Sequence, residues 1–132
     1  MTLVVDASVV VAALIGAGPE GSWAEWLLTS DNLVSAHLMP SEAANILRRA
    51  AIAGDISQDS ASLAHDDLLM LPVELFSYEP FASRIWELRA NVTAYDAWYV
   101  ALAEALATPL VTLDQRLIRS TGPRCEFRTA PA

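Results

Sequence analysis

The chain contains no lysine: all eight basic residues are arginine, set against sixteen Asp and Glu for a net charge of −8. That absence excludes functions built on an active-site lysine, among them Walker-type nucleotide enzymes, with their Gly-x4-Gly-Lys loop, and phosphorylated receiver-type regulators. A phosphatase of the Asp-x-Asp type fails on a different gap, since Asp6-Ala7-Ser8 carries serine where the second aspartate is needed. With Cys125 as the lone cysteine no internal disulfide is available, so a secreted disulfide scaffold is excluded and a reducing cytoplasm is expected. His37 and His65 offer no ligand spacing. The longest uncharged apolar stretch, Val9 to Gly18, is about half of the ~20 residues a bilayer span requires, so no membrane association is expected. The first basic residue is Arg48 and Asp6 interrupts the apolar start, so no secretory signal is expected either.

What is present is a strongly apolar chain of 132 residues, 54% of them hydrophobic, enough for one compact domain over residues 1–132. Leu3-Val4-Val5 predicts a strand ending at Asp6, and Val9 to Leu14 a helix ending at the turn signals Gly16, Gly18 and Pro19. Ser22 is placed to cap a helix carrying Trp23, Trp26 and Leu27 on one stripe, followed by a turn at Asp31-Asn32 and a strand at Leu33-Val34-Ser35. Pro40 near a helix start and Gly54 at its end bracket the next helix. Further helices are predicted over Ser57 to Met70, Tyr78 to Ala90 and Thr93 to Ala107, with strands at Val73 to Phe76 and Leu110 to Leu113. A short helix follows Asp114, and Cys125 to Arg128 reads as a last edge strand. Strands separated by helices define an α/β fold, a mainly parallel sheet of four to five strands flanked by helices. Ligands of such sheets bind beyond the carboxyl ends of the strands, where Asp6 and Asp114 fall.

Taken singly, each acid has an ordinary structural reading. Asp6 and Asp114 are placed as N-caps, Thr93-Ala94-Tyr95-Asp96 resembles a capping box, and Glu42 sits where a helix dipole favours an anion. Taken together, topology brings all four towards one edge, where they repel one another unless a divalent cation intervenes. An all-oxygen donor set suits Mg²⁺ or Mn²⁺ rather than zinc.

Four blocks in register carry a family resemblance: Val4-Val5-Asp6-Ala7-Ser8, Ser41-Glu42-Ala43-Ala44-Asn45, the run from Tyr95-Asp96-Ala97 to Ala103, and Val111-Thr112-Leu113-Asp114. Together they resemble a PIN-domain ribonuclease, and the length is that of the VapC-type toxins of bacterial toxin–antitoxin pairs. The resemblance implies a Mg²⁺- or Mn²⁺-dependent endoribonuclease, usually dimeric and inhibited by a VapB-like antitoxin. Carried over by position, Asp6, Glu42, Asp96 and Asp114 match the acidic cluster that holds metal and performs catalysis, and Ser8 and Thr112 match supporting hydroxyls. Asn45 matches a commonly polar position and also suits a solvated helix face. Gln115 follows Asp114, so the larger acidic set of some relatives is lacking. A catalytically inactive PIN-like binding module and a PIN nuclease outside a toxin pair are the alternatives.

Hydrolysis at such a cluster needs an in-line water and leaves a 5′-phosphate and a 3′-hydroxyl, without using the RNA 2′-hydroxyl as nucleophile. Arg49, on the Glu42 face at i+7, and Arg116 and Arg119, just after Asp114, are candidate phosphate contacts or ordinary solvated arginines. Tyr99, at i+3 from Asp96, fits either stacking on an unpaired base or helix packing. Trp23, Trp26 and Leu27 read as a core stripe or as the floor of an antitoxin groove.

Overall fold

Short β-branched runs alternating with helices leave the chain one economical arrangement, a sheet in which every connection is a crossover. The structure, a computed structural model, describes residues 1–30 and 32–132. Among these, β1 (Thr2–Val5), β2 (Asn32–Ala36), β3 (Val73–Phe76), β4 (Leu110–Val111) and β5 (Phe127–Arg128) pair in parallel, in the order β3-β2-β1-β4-β5. The helices are α1 (Ala7–Ile15), α2 (Gly18–Ser30), α3 (Met39–Ile52), α4 (Gln58–Met70), α5 (Ala82–Glu87), α6 (Ala94–Leu106) and α7 (Gln115–Ile118), with a 3-10 turn over Glu79–Phe81 before α5.

The chain builds outward from β1 through β2 to β3, then returns to add β4 and β5 on the other side. The junction of β1 and β4 is therefore the point where the winding reverses, and a crevice opens beyond the carboxyl ends there. Val4, Val5, Val9, Val10, Val100, Leu102, Leu110 and Val111 are closed to solvent around that junction. Helix α6 buries Ala97, Val100, Ala101, Leu102 and Ala103 and packs on β1, β2 and β4, while α1 packs on α2, α3 and α4. Away from the crevice, Arg84 makes a bidentate pair with Glu104 (2.7 and 3.1 Å) and donates to the Gly122 carbonyl (2.9 Å), tying α5 and α6 to the last loop.

Several predicted boundaries move. Helix α2 begins at Gly18 rather than after Ser22, so Ser22 lies inside it. Pro19 starts the helix instead of ending the preceding turn, because its missing N–H is one that the first turn leaves unpaired anyway. The turn into it is tight enough that a Cβ on Gly21 would strike the Gly16 carbonyl. The predicted stripe on α2 also divides: Leu27 is 4% exposed and belongs to the core, Trp23 is half-buried against it, and Trp26 is 65% exposed. Between Tyr78 and Ala90 the regular helix spans only α5, because Pro80 confines the entry to a 3-10 turn and the Leu88 N–H is shared between the Arg84 and Ile85 carbonyls. The last strand narrows to Phe127–Arg128 and β4 to two residues. Asn32 opens β2, and Asp31, expected in the turn before it, lies outside the described residues.

The two ends of this burial scale separate experimentally. Leu102→Ala, at a position closed to solvent, is expected to destabilise the protein by about 2–5 kcal/mol through lost transfer energy and a cavity. Trp26→Ala is expected to stay within about 0.5 kcal/mol. Urea unfolding of both variants checks this, and a large loss at Trp26 would mean that its side chain is covered.

Candidate active site

The end of β1 delivers Asp6, 5% exposed, as the N-cap of α1. Its Oδ1 accepts from the Val9 N–H (3.2 Å) and the Ser8 hydroxyl (2.6 Å), and its Oδ2 accepts from the Thr112 hydroxyl. Three of the roughly four lone-pair positions of the carboxylate are thereby taken by protein donors. The two hydroxyls also accept: Ser8 Oγ from the Leu113 N–H and Thr112 Oγ1 from the Asp114 N–H, each at 3.0 Å. Beyond Val111 the Thr112 N–H still donates to the Arg128 carbonyl of β5 (3.0 Å), and the pairing ends there because the next two amides turn to hydroxyls instead of a neighbouring strand. Asp114 then caps α7, its Oδ1 accepting from the Arg116 and Leu117 N–H groups at 2.9 and 3.3 Å. On the β2 side, the buried Ser35 hydroxyl donates to the Val5 carbonyl (2.6 Å), bracing the strand end that precedes Asp6.

The other two acids arrive on helix first turns. Thr93 caps α6 by accepting from the Asp96 N–H (3.2 Å), which puts Asp96 in that first turn. Glu42 occupies the first turn of α3, after Pro40. The caps at Asp6, Thr93 and Asp114 are realised and so is the convergence: Asp6, Glu42, Asp96 and Asp114 line a single cavity of about 230 Å³, together with Ser8, Asn45, Arg49 and Tyr99. Arg116 lies in an adjoining cavity that shares Asp96 and Asp114 as its wall, with Asn91, Thr93 and Ser120. Arg119 lines neither and sits exposed at the end of α7.

Burial and the proximity of the acids set the electrostatics of the cleft. Burial pushes the Asp96 carboxyl up to about 6, and the charges of Asp114, Glu42 and Asp6 push it the same way, against the Thr93 hydrogen bond. Asp6 is raised as well, burial outweighing the Ser8, Thr112 and Val9 hydrogen bonds that favour its ionised form. Burial first, and then Glu42, hold the Tyr99 phenol far above its ordinary value, so it is a permanent donor. Among the described residues no three His, Cys, Asp or Glu side chains are already arranged around a point that could hold an ion. The fit to a divalent cation is thus one of donor chemistry and charge: hard oxygen ligands and mutual repulsion that a cation relieves.

Sequence reasoning missed one contact here. Tyr99 packs in the core, 1% exposed, and yet its hydroxyl donates to Glu42 Oε1 across the cavity. The available signal was its i+3 spacing from Asp96, which puts both on one face of α6.

The PIN-domain family matches residues 3–122, which places the chain in that class. Ribonuclease VapC1 of Mycobacterium tuberculosis (strain ATCC 25618 / H37Rv) is 41% identical over 126 residues, 95% of each chain. The crystal structure of PAE2754 from Pyrobaculum aerophilum has a TM-score of 0.70 at 24% identity, covering 96% of this chain and 83% of that one. VapBC2 from Rickettsia felis, solved bound to a DNA fragment from their promoter, has a TM-score of 0.66 at 13% identity, covering 99% and 100%. The chain belongs to the VapC ribonucleases of the PIN-domain family.

The clustering has a consequence for stability. The folded protein holds the Asp96 proton up to about pH 6, whereas the ordinary value is 3.8. Between these values the unfolded chain binds fewer protons, so this group's contribution to stability falls as pH rises through that window and stays lost above it. Asp96→Asn removes the effect. Without divalent metal, the melting temperature of Asp96→Asn minus that of the wild type is expected to grow from about pH 4 to about pH 7. A difference that does not change with pH would contradict the raised Asp96 carboxyl that burial and then the neighbouring acids produce.

Proposed function

We propose that this protein, as a single domain over residues 1–132, is a metal-dependent endoribonuclease toxin that hydrolyses RNA phosphodiester bonds at the Asp6, Glu42, Asp96 and Asp114 cleft. The observation that carries this is the convergence of four carboxylates, delivered by four different helix starts, on one cavity in a chain of the VapC family. Mg²⁺ or Mn²⁺ suits the all-oxygen donor set. Once bound, such an ion supplies positive charge to the phosphate oxygens and to the attacking water. Asp6, Asp96 and Asp114 would hold one ion. Glu42, facing them, would with Asp6 orient the water or help place a second ion. Ser8 and Thr112 keep the Asp6 carboxylate in one orientation, and the Asp114 cap does the same for the carboxylate beside it. Arg49 and Arg116, in the two adjoining cavities, are suited to grip phosphates on either side of the Asp96–Asp114 wall, with Arg119 further along the strand's path.

A VapB-like antitoxin is the partner this reading calls for, with a basic tail directed into the acidic cleft and apolar contacts at Trp26 and the exposed part of Trp23. Leu27 drops out of that surface because it is buried. On this reading the protein is cytoplasmic and forms a homodimer. Among the described residues no helix is long and apolar enough to cross a membrane.

Incubation with a pool of total RNA in Mg²⁺, Mn²⁺ or EDTA, followed by sequencing of new 5′-phosphate ends, tests the reaction. Cleavage is expected with metal, to be abolished by EDTA, and to be lost in a folded Asp96→Asn protein. Products with 2′,3′-cyclic phosphate ends, or cleavage that survives EDTA, would rule out the metal–water reaction. For the partner surface, Trp26→Ala is expected to weaken antitoxin binding at least about tenfold if this tryptophan is an anchor, because exposed aromatics that fill a partner's pocket dominate such interfaces. Unchanged affinity would remove Trp26 from the interface.

A further inference from the structure

The four carboxylates are not held alike. Asp6 is short, buried and fixed by three donors, Asp114 is fixed by two amides at the start of α7, and Asp96 sits on a helix start capped by Thr93. Glu42 has a longer side chain with more rotamers to lose, is half-buried, and follows an N-cap position, Leu38, that makes no side-chain hydrogen bond. What reaches it is the Tyr99 hydroxyl, from the opposite bank of the cavity. Helix α3 packs on α1 and α4, whereas α6 packs on the sheet and α5, so this bond ties together two helices that otherwise rest on different neighbours. A phenylalanine would fill the same space in the core, so packing alone does not call for the hydroxyl, and a buried hydroxyl is costly unless paired.

We propose that Tyr99 is a positioning residue for Glu42: by donating to Oε1 it fixes the carboxylate against α6 and leaves Oε2, which has no protein partner among the described residues, for the water or cation in the cleft. The inference rests on the nuclease reading of that cleft. Tyr99 touches neither the phosphate nor the ion in this scheme and acts only through Glu42.

Tyr99→Phe removes the donor and keeps the ring, and a double-mutant cycle with Glu42→Ala isolates the coupling. Two quantities are read: the affinity of the RNA-free protein for Mn²⁺ by calorimetric titration, and kcat and KM on an RNA oligonucleotide. In the wild-type background Tyr99→Phe is expected to weaken Mn²⁺ binding and to lower kcat, each about tenfold, the effect of one charge-assisted hydrogen bond, with KM unchanged. In the Glu42→Ala background it is expected to change neither. Wild-type Mn²⁺ affinity and kcat in Tyr99→Phe, or a loss equally large with and without Glu42, overturns the proposal while leaving the nuclease reading intact. A wild-type protein that neither binds Mn²⁺ nor cleaves RNA overturns the nuclease reading and this proposal with it, and a Glu42→Ala protein that does both unimpaired removes Glu42 from the machinery and overturns this proposal alone.

Discussion

A single buried carboxylate at the end of the central strand organises the carboxyl edge of this sheet. Removing an ionised carboxylate from water costs several kcal/mol unless donors replace the lost hydration. Asp6 finds them in the Val9 amide and in two hydroxyls, Ser8 from α1 and Thr112 from beyond β4. Those hydroxyls have lone pairs to spare, and they accept the Leu113 and Asp114 amides that become free as the chain leaves β4. The desolvation of one group and the orphaned amides of another segment are thus solved together. Strand β4 ends after two residues, Asp114 is set at the start of α7, and the β1–α1 and β4–α7 junctions are locked into register across the winding reversal.

The same arrangement stores repulsion. An acidic cap on α1, an acid in the first turn of α3, another in that of α6 and an acidic cap on α7 are each favourable locally, because helix N-termini attract negative charge. Their meeting in one cavity is not: the charges of Asp114, Glu42 and Asp6 add to burial, the larger cause, in raising the Asp96 carboxyl. The local terms are worth about 0.3–1 kcal/mol each and fall off within a turn, so they select where each acid sits without cancelling the repulsion between acids. The valine-rich core around β1 and the Arg84–Glu104 brace at the other side of the molecule keep the fold together regardless of that strain. Function then lives where stability is given up, as is common for sites that must bind charge.

What the sequence made legible follows the physics of each signal. Parallel strands buried on both faces leave short apolar runs, so β1 and β2 could be read, the edge strand β3 could be read from its alternation, and the caps at Asp6, Ser57, Thr93 and Asp114 mark helix starts through spacing alone. The four acids could be gathered because each sits at a helix start and topology carries helix starts to one edge. Illegible were effects that depend on contacts distant in sequence. The truncation of β4 needs Ser8, more than a hundred residues away, to take an amide. The division of Trp23, Trp26 and Leu27 between core and surface depends on how α2 packs against α1, and the start of α2 was hidden because Pro19 reads equally as a turn breaker or a first-turn residue. The Tyr99–Glu42 bond joins α6 to α3 across 57 positions, a distance at which spacing carries no information.

The acidity of the chain and the proposed polyanionic substrate can be reconciled by distance. Net charge is a property of the whole surface, but charges farther apart than about 8 Å are largely screened at physiological salt. What RNA meets at the cleft is therefore decided by the groups within one such length of it. Several of the eight arginines are spent elsewhere: Arg84 pairs with Glu104 and Glu87, Arg128 lies by Glu126, and Arg89 stacks on Trp86. Arg49 and Arg116, by contrast, stand in the two cavities that share the Asp96–Asp114 wall. Under the proposed function a divalent ion among the carboxylates offsets much of their charge, and the arginine on each side then sets the sign that the flanking phosphates encounter. The acids elsewhere on the surface still discourage nonspecific adhesion of RNA away from the cleft, so a chain carrying −8 overall can confine its attraction for a polyanion to one place.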